Sequence, residues 1–327
     1  MTIARTKPPA KLNLFLEIPA RRDDGYHEID TVMVAIDWRD ELEIESIPDP
    51  KIDLATKWLP SIGNVAEQLG LGWSDNKTPD LLRIPDDQSN LVVKALAAFR
   101  RHFQIDTGFR VTLGKRIPAG AGMGGASSDA AHAIACAAQI HHVDNQPSAL
   151  HQIASSIGSD VPFFLPSGDE ISQSHVAARA TGRGERLSPL LMRTSIHFVV
   201  AYPAVSLSTA AVYGKLKVPR IPVDSTSFIT AITRGDRPSM TGAMMNRLTE
   251  PAMEILPQLD ELLKSLWQSG LQPCQLTGSG SACFGIADDA EHAQDVVKRL
   301  KTELQPGVLL QAAQTVPAAA PIQIEPS

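Results

Sequence analysis

Cysteine is scarce: the 327 residues hold three, Cys136, Cys274 and Cys283, and no two form a C-x-x-C pair. That excludes a disulfide framework and a zinc site of the usual spacing, and predicts reduced, buried thiols in a cytoplasmic protein. Excess positive charge is missing as well. Lys and Arg number 30 against 36 Asp and Glu, a formal net charge of −6. No nucleic-acid partner is therefore expected, and any anionic ligand must be held by local geometry. Long apolar runs are absent too. "SIHFVVAYPAV" is too short and too polar at its edges to span a bilayer, so no membrane association is expected. Basic residues precede "KLNLFLEI", but Asn13 and Glu17 interrupt it and no small-residue cleavage site follows, against a secretory signal. What remains is an ordinary globular composition, 43% hydrophobic and 20% charged, in a chain long enough for two domains.

The first clear pattern has period two. Leu12, Leu14, Leu16 and Ile18 are predicted on one face of a strand, with Lys11, Asn13, Phe15 and Glu17 on the other. A turn at Asp24-Gly25 leads to a second strand over residues 29–36, giving a hairpin. Residues 55–88 carry scattered Pro and Gly and read as a long loop, with 55–80 an insertion. A helix follows the cap residues Ser89 and Asn90, then a strand stopping at Pro118. A helix capped by Ser127 or Ser128 and another ending at Gly158 complete the first half. Beyond it come the strand "TSIHFVVAYP", several helices, and a strand–turn–strand–helix–strand end. This predicts an α+β protein with domains at 1–170 and 171–315, and an Ala/Pro-rich mobile tail over 316–327.

Between strand and helix lies "PAGAGMGGASSDAA". Gly120, Gly122 and Gly125 have the G-x-G-x-x-G spacing of a dinucleotide fingerprint. The context rejects that reading. A dinucleotide fold needs a second strand ending in an acid about 20 residues on, and everything up to Asp144 is helical. A Walker loop fails because Arg116 follows Gly114-Lys115. What survives is shared physics: glycines free backbone N–H groups to converge at a helix N-terminus, which favours phosphate. Ser127 and Ser128 add hydroxyls, and Asp129 is a candidate cap partner or neighbour of Mg²⁺. The competing reading is a flexible turn before a capped helix. Elsewhere, Asp160 in "GSDVPFFL" and Lys11 on the first strand are candidates for proton transfer to and from an alcohol. A turn aspartate and a solvated lysine are the plain alternatives.

Together these segments resemble the GHMP small-molecule kinases. "PAGAGMGGASSDAA" resembles the central motif of that family and "LTGSGSACFG" its C-terminal glycine motif. "PAKLNLFLEI" with "RRDDGYHEIDTVM", and "GSDVPFF", resemble members that phosphorylate the tertiary hydroxyl of a cytidine-diphosphate sugar alcohol in non-mevalonate isoprenoid biosynthesis. The resemblance runs from about Ala10 to Ala313. Ala126 departs from it, standing where glycine is commoner.

The fold so implied has two α+β domains. The first is like ribosomal protein S5 domain 2 and the second is ferredoxin-like, with the site in the cleft between them. The implied cofactors are ATP and Mg²⁺, and the partner is the small-molecule substrate. By the same resemblance Asp160 is the base on the hydroxyl and Lys11 assists it. Asn13 hydrogen-bonds the substrate, Tyr26 and His27 meet the cytosine, and Tyr213 offers it an aromatic face with Thr209 nearby. Asn90 lies by the adenine. The triphosphate is wrapped by Pro118, Ala119, Gly120, Ala121, Gly122, Met123, Gly124, Gly125, Ala126, Ser127 and Ser128. No metal ligands or oligomeric state are assigned. Two alternatives stay open: a kinase of the same family acting on homoserine, mevalonate or a sugar, disfavoured by the "GYH" hairpin, and a non-catalytic nucleotide-binding relative.

Overall fold

Alternation near the start becomes a long hairpin. The computed structural model describes residues 2–74, 78–165, 176–304 and 306–326. It opens with β1 (Thr2–Thr6), β2 (Pro9–Arg21), β3 (His27–Arg39), β4 (Glu41–Ile47) and β5 (Ile52–Trp58), followed by α1 (Ile62–Gln68) and α2 (Leu91–Phe103). Strand β6 (Gly108–Lys115) leads through the glycine loop into α3 (Gly125–Ile140), and α4 (Pro147–Ile157) follows. Next come β7 (Ala177–Gly182), β8 (Arg186–Leu190), β9 (His197–Pro203), α5 (Thr209–Lys215), α6 (Thr226–Arg234) and α7 (Arg237–Ala243). The chain closes with β10 (Met245–Asn246), α8 (Thr249–Ile255), α9 (Gln258–Gln268), β11 (Cys274–Leu276), β12 (Cys283–Ala287), α10 (Ala290–Glu303), β13 (Val308–Gln314) and β14 (Gln323–Pro326).

Three sheets organise these elements, in the orders β14-β1-β4-β6-β5, β10-β2-β3-β7-β8 and β11-β12-β9-β13. The first sheet packs against α2, α3 and α4 through Leu42, Ile44, Val111, Leu96, Phe99, Ile134 and Ile153. Helix α3 is Ala-rich and buried almost throughout, since small side chains let sheet and helices close on it from several sides. The third sheet is antiparallel throughout, and Leu262, Leu266, Val296 and Leu300 of α9 and α10 share its core with Val199, Ala201 and Leu310. No helix among the described residues is long and apolar enough to cross a membrane.

The hairpin turn forms as expected: Arg22 N donates to Tyr26 O at 2.8 Å and Gly25 takes φ +84°. The shared face of β2 does not persist. Asn13 pairs with Met33 but Phe15 with Val32, so a bulge at Leu14 inverts the alternation. Leu12, Leu14 and Phe15 join the core of Val34, Phe198 and Phe228, while Leu16 and Ile18 turn to Val199, Leu248 and Leu276. Inversion carries β2 from one core to the other.

Three further expectations are corrected. The first part of the expected 55–80 loop is ordered: β5 runs to Trp58 and α1 follows, with Val65, Ala66 and Leu69 buried. Ser61 caps that helix by accepting from Asn64 N at 3.2 Å, a signal the surrounding Pro and Gly obscured. The division at 170 lies outside the described residues, but β7 and β8 beyond it extend the sheet of β2 and β3. Small, alternating Ala177, Ala178 and Ala180 pack into the first-domain cores, and the glycines after them make the hairpin turn.

The tail is the third. Strand β14 pairs antiparallel with β1, Ala318 and Ala320 are buried, and Thr6 Oγ1 donates to Pro321 O at 2.9 Å. Ala320 N donates to His132 Nε2 at 2.8 Å, which leaves Nδ1–H to donate to Ser128 O at 2.8 Å. Burial holds this histidine's pKa down at about 4, so it is neutral and satisfied at both nitrogens. Ala and Pro read as mobile by composition, yet here their small size lets the chain lie flat on α3. Removing residues 316–326 strips a buried acceptor of its donor, at a cost of about 1–3 kcal/mol. Thermal unfolding should shift down by about 2–4 °C per kcal/mol; an unchanged midpoint would show that the tail contributes nothing.

Candidate active site

The glycine loop is shaped by what crowds it. Lys11 N donates to Met123 O at 2.9 Å and Ala282 N to Ala121 O at 3.1 Å, pinning the loop between β2 and the turn after β11. Ala121 and Met123 point inward and are buried. Gly122, at φ +76°, would place a Cβ 2.2 Å from Thr277 O, and Gly124, at φ +67°, would place one 3.0 Å from Lys11 Cγ. Neither position accepts a side chain. Helix α3 starts at Gly125 with Gly124 as its N-cap, so the expected serine cap is replaced by a glycine whose left-handed backbone makes the turn. The first intrahelical bond runs from Ser128 N to Gly124 O. The amides of Gly125, Ala126 and Ser127 thus have no acceptor in the helix and are available to an anion. Ser128 is buried, with no partner for Oγ among the described residues; Ser127 is half-buried and Ala126 exposed.

Beneath the loop lies a buried charge cluster. Lys115 Nζ, at the end of β6, is bound by Asp40 Oδ2 and by Asp129 Oδ2 at 2.6 Å. Asp40 Oδ1 accepts from Arg116 N at 2.5 Å and Ile117 N at 2.9 Å, and Asp40 N donates to Pro8 O at 2.9 Å. One ammonium therefore ties the strand entering the loop to the N-terminal part of the helix leaving it. Asp129 neither caps α3 nor opens towards a metal, because its carboxyl turns inward to Lys115. Burial would lower the Lys115 pKa, but the two carboxylates more than reverse that. With two acids to one base, burial pushes Asp129 up to about 7; Lys115 opposes the shift and Asp40 adds to it.

Above the loop opens a cleft of about 250 Å³ between the domains. Lys11, Asn13, Leu16, Asp160, Thr209 and Tyr213 are among its lining. Lys11 Nζ lies 3.6 Å from Asp160 Oδ2 and donates to Asn13 Oδ1 at 2.6 Å. Asn13 Nδ2 donates to Thr31 Oγ1 at 2.9 Å, and Thr31 Oγ1 donates to Phe15 O at 2.6 Å. The Asn13 amide thus braces the lysine. Asp160 precedes a short 3₁₀ turn (Val161–Phe164) whose residues are all buried; its own side chain caps nothing and remains 36% exposed. A carboxylate open to a ligand, beside an ammonium and next to an anion-binding helix start, suits proton removal from a hydroxyl as it attacks a phosphoryl group.

On the cleft wall Tyr213 meets His27, with ring centroids 4.9 Å apart and planes tilted by 42°. Burial, with a smaller contribution from Arg21, depresses the His27 pKa. Burial raises that of Tyr213 to about 12, helped by the Asp160 charge. Both are neutral near pH 7. Tyr26 is 58% exposed, with Arg183 Cζ 5.1 Å from its ring centre. Thr209 Oγ1 and Ser279 Oγ are 3.0 Å apart. Asn90 is outside this cleft: it caps α2, accepting from Val92 N at 2.9 Å and donating to Pro85 O at 2.7 Å. Pro118 is buried, and Ala119 and Gly120 are exposed on the loop.

Several contributors escaped sequence reasoning. Thr277 Oγ1 accepts from Asn13 N at 3.1 Å. Asn246 Nδ2 donates to Leu276 O at 2.8 Å and Gly278 O at 2.9 Å. Thr277 sits in the C-terminal glycine motif, the one available signal. No group of three His, Cys, Asp or Glu side chains that would hold a metal occurs among the described residues.

Residues 90–168 match the model of the GHMP kinases N terminal domain, and residues 228–305 that of GHMP kinases C terminal. The chain belongs to the GHMP kinase family and is a phosphotransferase. Within that family it is similar to 4-diphosphocytidyl-2-C-methyl-D-erythritol kinase of Rhodopirellula baltica, 43% identical over 314 residues that span 93% of each chain. The kinase of that name from Pelotomaculum thermopropionicum is 31% identical, covering 89% of this chain and 92% of its own. A crystal structure of 4-(cytidine 5'-diphospho)-2C-methyl-D-erythritol kinase aligns with a TM-score of 0.71 at 28% identity, over 95% of this chain and 99% of that one. Homoserine kinase from Cytophaga hutchinsonii, with a TM-score of 0.70 at 15% identity over 98% and 97%, shares the fold.

The buried cluster makes a pH-dependent contribution. Between the ordinary carboxylate value near 4 and the raised value of about 7, folded Asp129 retains a proton that the unfolded chain releases. Its contribution to stability therefore falls as pH rises through that window. Asp129→Asn cannot titrate and should flatten this part of a denaturant-derived stability curve. An identical slope in the variant would remove Asp129 as the titrating group.

Proposed function

We propose that this kinase transfers the γ-phosphoryl group of ATP to the C2 hydroxyl of 4-diphosphocytidyl-2-C-methyl-D-erythritol. The observation that carries this reading is that the cleft lined by the Lys11–Asp160 pair is also lined by Tyr213, whose ring meets that of His27. A base-recognising pair has no task in a kinase for homoserine or mevalonate.

In this reading Asp160 accepts the proton of the C2 hydroxyl. The oxygen forms a bond to the γ-phosphorus, and the bond to the β-phosphate oxygen breaks to release ADP. The Lys11 ammonium, held by Asn13, lowers the energy of charge developing on the attacking oxygen. Free amides at the start of α3 hold the phosphates. A magnesium ion bound with the nucleotide would supply neutralisation of phosphate charge. The nearby carboxylates are already paired, Asp129 with Lys115 and Asp160 with Lys11, so the hydroxyls of Ser127 and Ser128 at the helix start would be the side chains left to hold it. Neutral His27 offers one donor and one acceptor to the polar edge of cytosine, and Tyr213 and Tyr26 offer faces.

Asp160→Asn should lower kcat by about 10²–10⁴-fold, with ATP affinity by titration close to wild type. Unaltered turnover would remove Asp160 from the chemistry. Turnover of homoserine or mevalonate, but not of the cytidine substrate, would overturn the assignment, and absence of ADP release with all three would favour a non-catalytic relative. A pH profile tests His27 separately. Its depressed pKa keeps the imidazole neutral down to below the ordinary histidine value of about 6.5, and recognition is lost as it protonates. KM for the cytidine substrate should rise on acidification while KM for ATP stays flat, and His27→Gln should abolish that rise. Parallel changes in both constants would place the titrating group elsewhere.

A further inference from the structure

Two cations line the cleft, Lys11 and Arg183. Lys11 is committed to Asn13 and Asp160. The Arg183 guanidinium has no ion pair or hydrogen bond among the described residues; its one strong contact is the face of Tyr26. Asp24, its acidic neighbour, is already engaged by Arg22 Nε at 3.1 Å and by Tyr26 N at 3.1 Å. An unpaired guanidinium in an acidic chain, facing a ligand cleft, is an anion receptor in waiting.

Its backbone is fixed. Arg183 sits in the tight turn between β7 and β8, flanked by Gly182 at φ +76° and Gly184 at φ +108°. Gly182 N donates to Glu28 Oε1 at 3.1 Å, tying the turn to the residue after His27. Arg183 N donates to Glu185 Oε2 at 2.6 Å. On the other side, a Cβ built on Gly184 would lie 3.5 Å from Ser159 Cβ, next to Asp160. The turn thus bridges the base-facing hairpin and the reacting carboxylate.

We propose that Arg183 binds the diphosphate of a nucleoside-diphosphate substrate, and so sets specificity for the charged linker between base and alcohol. This rests on the proposed function. The site then offers Tyr26, His27 and Tyr213 to the base, Arg183 to the diphosphate, and Lys11 and Asp160 to the alcohol. The planar fork of arginine matches two phosphate oxygens at once, and stacking on Tyr26 orders it beforehand.

Calorimetric titration with CDP and with cytidine tests this, the ATP site being filled with a non-hydrolysable analogue. Wild type should prefer CDP over cytidine by about 10- to 100-fold, the worth of hydrogen bonds to a charged group. Arg183→Met should lose most of that preference while binding cytidine as before, and Arg183→Lys should recover part of it. In turnover, Arg183→Met should raise KM for the cytidine substrate with kcat and KM for ATP little changed. An unchanged CDP preference in Arg183→Met would refute the role, as would a rise confined to KM for ATP. Failure of wild type to bind either CDP or cytidine would instead bring down the proposed function and this inference with it.

Discussion

A single buried ammonium holds the site together. Lys115 is gripped by Asp40 from the β3–β4 junction and by Asp129 near the start of α3. Through Asp40 it also reaches the backbone of residues 116 and 117 and the segment entering β2. The glycine loop has few side chains with which to stiffen itself beyond buried Ala121 and Met123, so its shape is imposed largely from its two ends and by its neighbours. Removing the lysine would leave two carboxylates buried without a counter-charge, a loss of about 3–5 kcal/mol in comparable cases. A hydrophobic substitute of the same size would fill the space. It would not orient three separate chain segments by directional hydrogen bonds.

The two parts of the site are built differently. At the reacting centre Lys11, Asn13 and Thr31 are buried and bonded to one another in series, so the ammonium is placed before any ligand arrives and little reorganisation is left for the chemical step. On the substrate-facing hairpin, by contrast, Tyr26 and Arg183 are exposed and share only a ring contact. Rigidity is concentrated where bonds change, and the open surface lies where binding begins. The bulge at Leu14 serves this division. It keeps Lys11 and Asn13 facing the loop, yet brings Leu16 to the same cleft two residues after the alternation should have turned it away.

Legibility in the sequence followed the range of the interactions. Local signals were readable: Asp24-Gly25 for the turn, Asn90 for the start of α2, Gly158 for the end of α4, and the glycine motif itself. Lys11, Asp160, His27 and Tyr213 could be named from motif resemblance, although nothing local showed that they meet. The clamp was invisible because Asp40 and Lys115 are 75 residues apart and each alone looks like a surface charge beside a turn. The bulge escaped because Leu14 is as apolar as the residues around it and carries no mark of an inserted position. Composition misled at the tail, where alanine and proline read as disorder until the buried imidazole of His132 is seen beneath them. Short α1 was lost among the same residue types.

Pairing of β14 with β1 has a consequence for how the chain comes to be made. Strand β1 is made well before β14, its neighbour in the sheet, and the acceptor on His132 is filled only when residue 320 arrives. The first domain cannot close its outer sheet edge while the second is still being synthesised. For that interval it exposes an unpaired strand, of the kind that recruits other chains. Arg5 on that edge, held by Glu43 of the neighbouring strand β4, places charge where a passing strand would add, a guard needed during synthesis and partly hidden after it.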